Sequence, residues 1–231
     1  MAIEDIRDAL VIRENGVFLL MDKCGNVPRR NESGFGLYRN DTRFLSRYEF
    51  SFSQAAPIML LSTAALGFAA EQVSTNPGMT SLDGTSLRRE SIEVRRQRII
   101  GDGVEEHLRV TSFDARPITL ECRYSFAADF ADIFDVRGLS PKQRGRLAPV
   151  KRSERSLAFG YEALDGRQLH TRIDFSAEPA SLNDSDAVFH LKLRPRETAT
   201  LSLSISMPAE AASPAPIASG NRLELLEQQY Q

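Results

Sequence analysis

Tryptophan is absent from this sequence of 231 residues, histidine occurs three times and cysteine twice. Two cysteines cannot build a disulfide-rich scaffold or a cysteine-based zinc cluster. No two histidines lie near enough in sequence to form a ready metal pair, and no G-x-S-x-G motif carries a nucleophilic serine. Without tryptophan, and with only five tyrosines, a surface of aromatic sugar platforms is weakened. Charge excess is also missing. The 29 basic residues stand against 31 acidic ones, which disfavours a generally basic nucleic-acid binder. No stretch approaches the roughly 20 apolar residues that span a bilayer. The most apolar region, 57–70, is broken by Ser62, Thr63 and Gly67. The start, Met1-Ala2-Ile3-Glu4-Asp5, has no basic opening followed by an apolar run, so it does not read as a secretion signal. A cytoplasmic location follows by default.

What is abundant is alternation. Tyr48, Phe50 and Phe52 alternate with polar neighbours, as do Ile118, Leu120, Cys122, Tyr124 and Phe126, and then Ala199, Leu201, Leu203, Ile205 and Met207. Successive side chains of a strand point to opposite faces, so each run reads as a half-buried strand. Weaker strand signals lie at 16–21, 87–99, 104–113, 157–163, 169–175 and 187–193. Asp165-Gly166 and Gly101-Asp102-Gly103 read as hairpin turns. About ten or more strands with little helix predict an all-β fold. One-sided antiparallel strands must cover one another, which gives a large β-sandwich. This domain is expected over 1–207. Residues 208–220, rich in proline, alanine and serine, read as a linker. Residues 221–231 begin a capped helix, Asn221 with Glu224, as though a C-terminal helical domain started there.

Candidate functional residues are few. Arg39-Asn40-Asp41-Thr42-Arg43 gathers an acid, two arginines and a hydroxyl, a set suited to bidentate ion pairs within the loop or toward a partner. Asp129, Asp132 and Asp135 share one side only in a helical turn, which would bury Phe130 and Phe134 and expose the acids. Their spacing does not match a calcium loop. The stretch 137–155 holds seven basic residues and one acid, and reads as a loosely ordered basic loop. Arg88-Arg89 and Arg95-Arg96 lie in a strand with compensating glutamates, as on a solvated or ion-paired face. No cofactor and no metal is called for. Neither nucleic acid nor membrane is an expected partner.

Residues 34–46 (Gly34-Phe35-Gly36-Leu37-Tyr38-Arg39-Asn40-Asp41-Thr42-Arg43-Phe44-Leu45-Ser46) and 129–138 (Asp129-Phe130-Ala131-Asp132-Ile133-Phe134-Asp135-Val136-Arg137-Gly138) resemble two marker regions of the N-terminal domain of bacterial glycogen-debranching-type proteins. Supporting similarity runs through 16–20, 75–77 and 105–108, and the resemblance covers roughly 8–230. It implies a supersandwich-like β domain packed against an (α/α) toroid that carries the glycosidase carboxylates of an amylo-α-1,6-glucosidase. The chain alone would then be non-catalytic, with the toroid as partner and α-glucan as a second. Tyr38, Asp41, Thr42, Arg43, Asp129, Asp132 and Asp135 become the candidate contacts to the neighbouring domain or the sugar site. Arg39 and Asn40 depart from the marker's usual tyrosine and arginine, which argues against direct sugar contact there. An autonomous α-glucan-binding module and a small independent glycosidase are the alternatives.

Overall fold

The computed structural model describes residues 9–29, 34–52, 55–139 and 143–208. These residues hold nineteen strands, several of only two residues, in four antiparallel sheets, with one helical turn at Ile133–Val136. The first sheet is a meander of Leu10–Glu14, Val17–Met21, Gly36–Arg39 and Thr42–Leu45. The largest has nine strands. From one edge they are Arg146–Leu147, Ser156–Glu162, Gln168–Phe175, Thr198–Ser206, Gly103–Ser112, Ile92–Ile100, Ala69–Thr75 and Ile58–Thr63, with Lys151–Ser153 also on Ser156–Glu162. A third sheet orders Ser181–Leu182, Asp186–Leu193, Ile118–Ala127 and Arg47–Phe52. Met79–Thr80 pairs with Ser86–Leu87.

The sandwich expected from alternation is the one observed. Phe50, Phe52, Leu120, Tyr124, Phe126 and Phe189 face Leu108, Ile173, Phe175, Leu201 and Leu203 in one continuous apolar core. Phe175 joins the sheets by packing on Phe126 and Phe189 at ring separations of 6.1 and 5.4 Å. Burial of these rings is the dominant stabilising term, at roughly 25 cal/mol per Å² of apolar area. Both expected hairpins form. Gly166 takes φ 82° and bonds back to Ala163, and Gly103 follows the turn into its strand. Cys122 is fully buried, and burial pushes its thiol up to about 12.

Two expectations need correction. The basic stretch 137–155 is not a loose loop where it is described. Arg146–Leu147 and Lys151–Ser153 are sheet edges, and Arg144 and Arg146 pair with Asp135 and Glu162. Phe130 is buried, but Phe134 is 58% exposed, because the turn beginning at Ile133 points it outward. Of the two faces left open for Arg95-Arg96, the ion-paired one holds for Arg96, which pairs with Glu106 and is buried. Arg96 lies on the core face of Ile92–Ile100, in line with Ile92, Val94, Arg98 and Ile100.

That core face carries a sealed ionic centre. Glu106, on Gly103–Ser112, accepts from Arg96 Nε at 3.0 Å and Nη2 at 3.1 Å, from Arg98 Nε at 2.5 Å, and from the hydroxyls of Tyr48 and Tyr124. Arg96 also donates to Asn26 Oδ1, and Arg98 to Gln72 Oε1 and Met21 Sδ. Burial works against the Glu106 charge, but Arg96 and Arg98 outweigh it and hold the carboxyl far below the usual range. Arg96 lies over the Tyr48, Phe50 and Tyr124 rings at 5.3–5.9 Å. The centre ties three sheets together.

The segment expected as a linker and the one expected as a helix start lie, Pro208 apart, outside the described residues. Among the described residues no helix is long and apolar enough to cross a membrane.

Candidate functional site

The two segments singled out in the sequence meet. Gly36–Arg39 and Thr42–Leu45 form a hairpin closed by Asn40 and Asp41, with Asn40 at φ 52°. Asparagine tolerates that left-handed conformation, which gives Asn40 a turn role. The second hairpin strand is then stitched to residues 127–133 by its main chain. Ser46 N–H donates to Ala127 O, Arg43 N–H to Ala131 O, and Ile133 N–H to Asp41 O, each at 2.8 Å. Thr42 and Asp132 form an antiparallel bridge.

Side chains lock the junction. Arg43 holds Asp129 bidentately, Nε to Oδ1 at 3.1 Å and Nη2 to Oδ2 at 2.5 Å. Burial disfavours the Arg43 charge, yet Asp129 outweighs it and keeps the guanidinium above its ordinary pKa. Gly36 is required beneath this arm, since a Cβ there would lie 2.6 Å from Arg43 Cδ and 2.8 Å from Leu45 O. Phe130 adopts φ 48°, a costly conformation for an aromatic residue. Packing holds it there: its ring stacks on Tyr161 at 5.5 Å and meets Phe44 edge-on at 5.6 Å.

Each expected site residue has a definite place. Tyr38 is buried, stacked on Phe18 at 4.6 Å, and donates to Gly34 O at 2.7 Å. Burial raises its phenol above the ordinary value. Asp41 is exposed and joins the junction through its carbonyl, so the ion pair of this cluster is Arg43–Asp129 rather than Arg43–Asp41. Thr42 is half-buried at the bridge. Asp132 caps the helical turn by accepting from Phe134 N–H at 2.8 Å. Asp135 Oδ2 faces Arg144 Nε at 3.4 Å, and Arg144 also donates to Asp129 O at 2.8 Å.

An open cleft of about 470 Å³ lies against the Arg43–Asp129 pair, lined by Arg29, Arg47, Ser185 and Asp186 among others. Asp186 sits below the usual carboxylate range: burial opposes its charge, but the Ser125 and Ser185 hydroxyls more than offset this. The junction also presents Phe134 and, bonded back to its carbonyl, Leu139, which is 68% exposed. Arg29, Arg47 and Asp186 were not singled out in the sequence, and Arg144 entered only as part of the basic stretch 137–155. Phe134 was named there as buried beside Phe130, and the turn reversed its side. The aspartates here serve an ion pair, a cap and an arginine bridge, each a contact within the chain that holds the junction. Among the described residues no group of three or more His, Cys, Asp or Glu could hold a metal ion.

A family model described as the N-terminal domain of (some) glycogen debranching enzymes matches residues 12–204. No curated protein matches the sequence. Among solved structures, a protein described as a kojibiose phosphorylase from human microbiome aligns with a TM-score of 0.60 at 7% identity, over 98% of this chain. The chain spans about a third of that protein, 33% of its length. The Slr1438 protein of Synechocystis sp. PCC 6803 aligns with a TM-score of 0.50 at 6% identity, over 87% of this chain and 96% of its own. At such identities the likeness is one of fold.

Proposed function

Because the chain belongs to the family of N-terminal domains of (some) glycogen debranching enzymes, we propose that it is non-catalytic and that its marker junction is the surface on which the parent protein's catalytic domain docks, beside the α-glucan site. In this reading the catalytic domain lies C-terminal to this one. The single observation that carries the reading is the junction itself. Two segments 86 residues apart are clamped by Arg43 and Asp129 and jointly hold Phe134 outward at 58% exposure. Aromatic side chains, phenylalanine among them, are enriched where protein surfaces meet.

In this reading Arg43 and Asp129 position the surface, Asp132 fixes the turn, and Asp41 and Asp135 line its rim. The partner is an (α/α) toroid with amylo-α-1,6-glucosidase chemistry. Hydrolysis would be carried by two carboxylates of that partner, one acid and one base or nucleophile. This chain shapes the cleft and supplies no reacting group. The chain acts in the cytoplasm.

The test is association of this chain with the separately produced catalytic portion of its parent protein, followed by sedimentation. Saturable association that Phe134→Asp abolishes, with the variant's thermal unfolding unchanged, is the expected result. Association that Phe134→Asp and Leu139→Asp both leave intact would place the docking surface elsewhere. Independent turnover of α-1,6-linked oligosaccharides by this chain alone, lost in Asp129→Asn, would overturn the reading in favour of a small glycosidase.

A further inference from the structure

An edge strand carries main-chain donors and acceptors that its own sheet does not use, so an edge is where one chain can add to another. Among the described residues nearly every edge of this fold is closed or guarded. Thr42–Leu45 is stitched to residues 127–133 by its main chain, and Tyr48 on Arg47–Phe52 exchanges both main-chain bonds with Val27, at 2.8 and 2.9 Å. Leu10–Glu14 carries Arg13 and Glu14, and its Arg13 N–H donates to Gly67 O at 2.7 Å. Arg146–Leu147, Lys151–Ser153 and Ser181–Leu182 are only two or three residues long, and the first two are basic. Short strands and charges of this kind blunt an edge against other chains.

Ile58–Thr63, the far edge of the nine-stranded sheet, has none of these guards. It is six residues long and pairs on one side only, with Ala69–Thr75. Among the described residues no other main-chain hydrogen bond reaches it. It lies within residues 50–70, a run of 21 without Asp, Glu, Lys or Arg and the longest such run in the sequence. Pairing slips by one residue between Met59 and Leu61, and Leu60 and Leu61 both stand in solvent, 61% and 46% exposed. The slip adds local twist, and a copy of the strand carries the same twist.

Charge selects the occupant. When a strand pairs antiparallel with its own copy about a two-fold axis, any charge near the axis faces its like, and like charges directly opposite are destabilising. A charged edge resists self-pairing for that reason, and an uncharged one accepts it. A partner chosen through salt bridges would need complementary charges on this edge, which has none. We propose that Ile58–Thr63 is a self-association edge, on which a second copy of this chain adds antiparallel through the same strand. Leu60 and Leu61 of one copy pack against those of the other, and the two nine-stranded sheets run on as one. The docking surface is separate. Phe130 of the marker junction stacks on Tyr161 of Ser156–Glu162, six strand spacings from Ile58–Thr63, or about 29 Å along the sheet.

Sedimentation of the 231-residue chain from micromolar to millimolar concentration tests this. A pair of six-residue strands covers less than the roughly 1,200 Å² at which standard interfaces begin, so the dimer should be weak and fill at the upper end of that range. Leu60→Lys with Leu61→Lys, and separately Leu60→Glu with Leu61→Glu, should each weaken it about tenfold or more, by setting like charges across the axis. Both positions are exposed, so thermal unfolding should be unchanged. The deciding arm mixes the two variants: lysine and glutamate chains should associate one to one, while each alone stays monomeric. Amide exchange at 58–63 should slow as the concentration of the unaltered chain rises. An unaltered chain that is monomeric throughout would overturn the proposal, as would a dimer that both variants leave intact, or a mixture that does not associate. Protection of 58–63 only on adding the catalytic portion of the parent protein would assign the edge to that domain and overturn it too. Phe134→Asp should leave self-association unchanged, so failure of docking and failure of self-pairing are told apart.

Discussion

Glu106 and Asp129 each take an arginine in a two-pronged grip, and there the likeness stops. Glu106 and its partner Arg98 have no exposed side-chain surface, and Arg96 has 3%. Arg43 and Asp129 keep 11% and 27% and border an open cleft. In the sealed centre the ions have lost their water entirely, so the attraction is strong and the penalty for breaking it is larger still. At the rim, water shares the load, and the pair serves geometry more than stability. One chemistry thus does two jobs, and solvent decides which.

The sharpest way to break this contrast is Glu106→Gln. It leaves two guanidiniums buried without an anion, and should cost about 3–5 kcal/mol in urea denaturation. Replacing the whole centre with apolar residues (Arg96→Met, Arg98→Leu, Glu106→Leu, Tyr48→Phe, Tyr124→Phe) should recover most of that loss, because no buried polar group is then stranded. A loss that persists in the apolar version would mean the centre is a net source of stability, not a specificity device.

Acid sharpens the same point. The Glu106 carboxyl is depressed in the folded state, so its stabilisation is complete above the unfolded value of about 4.3 and drains away as pH falls toward the folded one. Each pH unit in that window should remove about 1.4 kcal/mol per such group. Glu106→Gln should lack this limb, so the two urea midpoints converge with acid; parallel curves would contradict it. Tyr48 and Tyr124 are raised by burial and by Glu106, so they favour folding below about pH 10 and lose that contribution as pH climbs. At the rim the effect is smaller. Asp129→Asn should cost about 1–3 kcal/mol by urea unfolding, with a larger relative loss in docking.

The contrast also explains what could be read in advance. Arg47–Phe52, Ile118–Ala127 and Thr198–Ser206 were legible to within a residue or two because each buries one face and wets the other. Gly36–Arg39, Thr42–Leu45 and Ala69–Thr75 are buried almost throughout, so alternation disappears and so does the signal. The sealed centre hid behind residue type. Positions 92, 94, 96, 98 and 100 keep a strict period of two, as do 104, 106, 108 and 110. Arginine and glutamate at the centre of those runs left a solvated and an ion-paired face open, while the period pointed to a buried pair. The two marker segments were visible through family resemblance, but Arg43 chooses Asp129 over the nearer Asp41 because the hairpin turns Asp41 out into water. That choice depends on a sheet contact that local sequence does not encode.

The smallest effects separate the two aspartates of the junction that look most alike in sequence. Asp132 caps the turn with its side chain, and Asp132→Ala should cost about 1 kcal/mol. Asp41 is exposed and works through its carbonyl, which alanine retains, so Asp41→Ala should stay within about 0.5 kcal/mol. Thermal unfolding of both variants resolves the difference. Equal losses would show that the Asp41 side chain carries part of the junction after all, and that the rim is a network of carboxylates. Unequal losses in the expected order leave Arg43 and Asp129 as the one ionic clamp between the markers. Then the outward presentation of Phe134 depends on that clamp, and Asp129→Asn should weaken docking where Asp41→Ala does not.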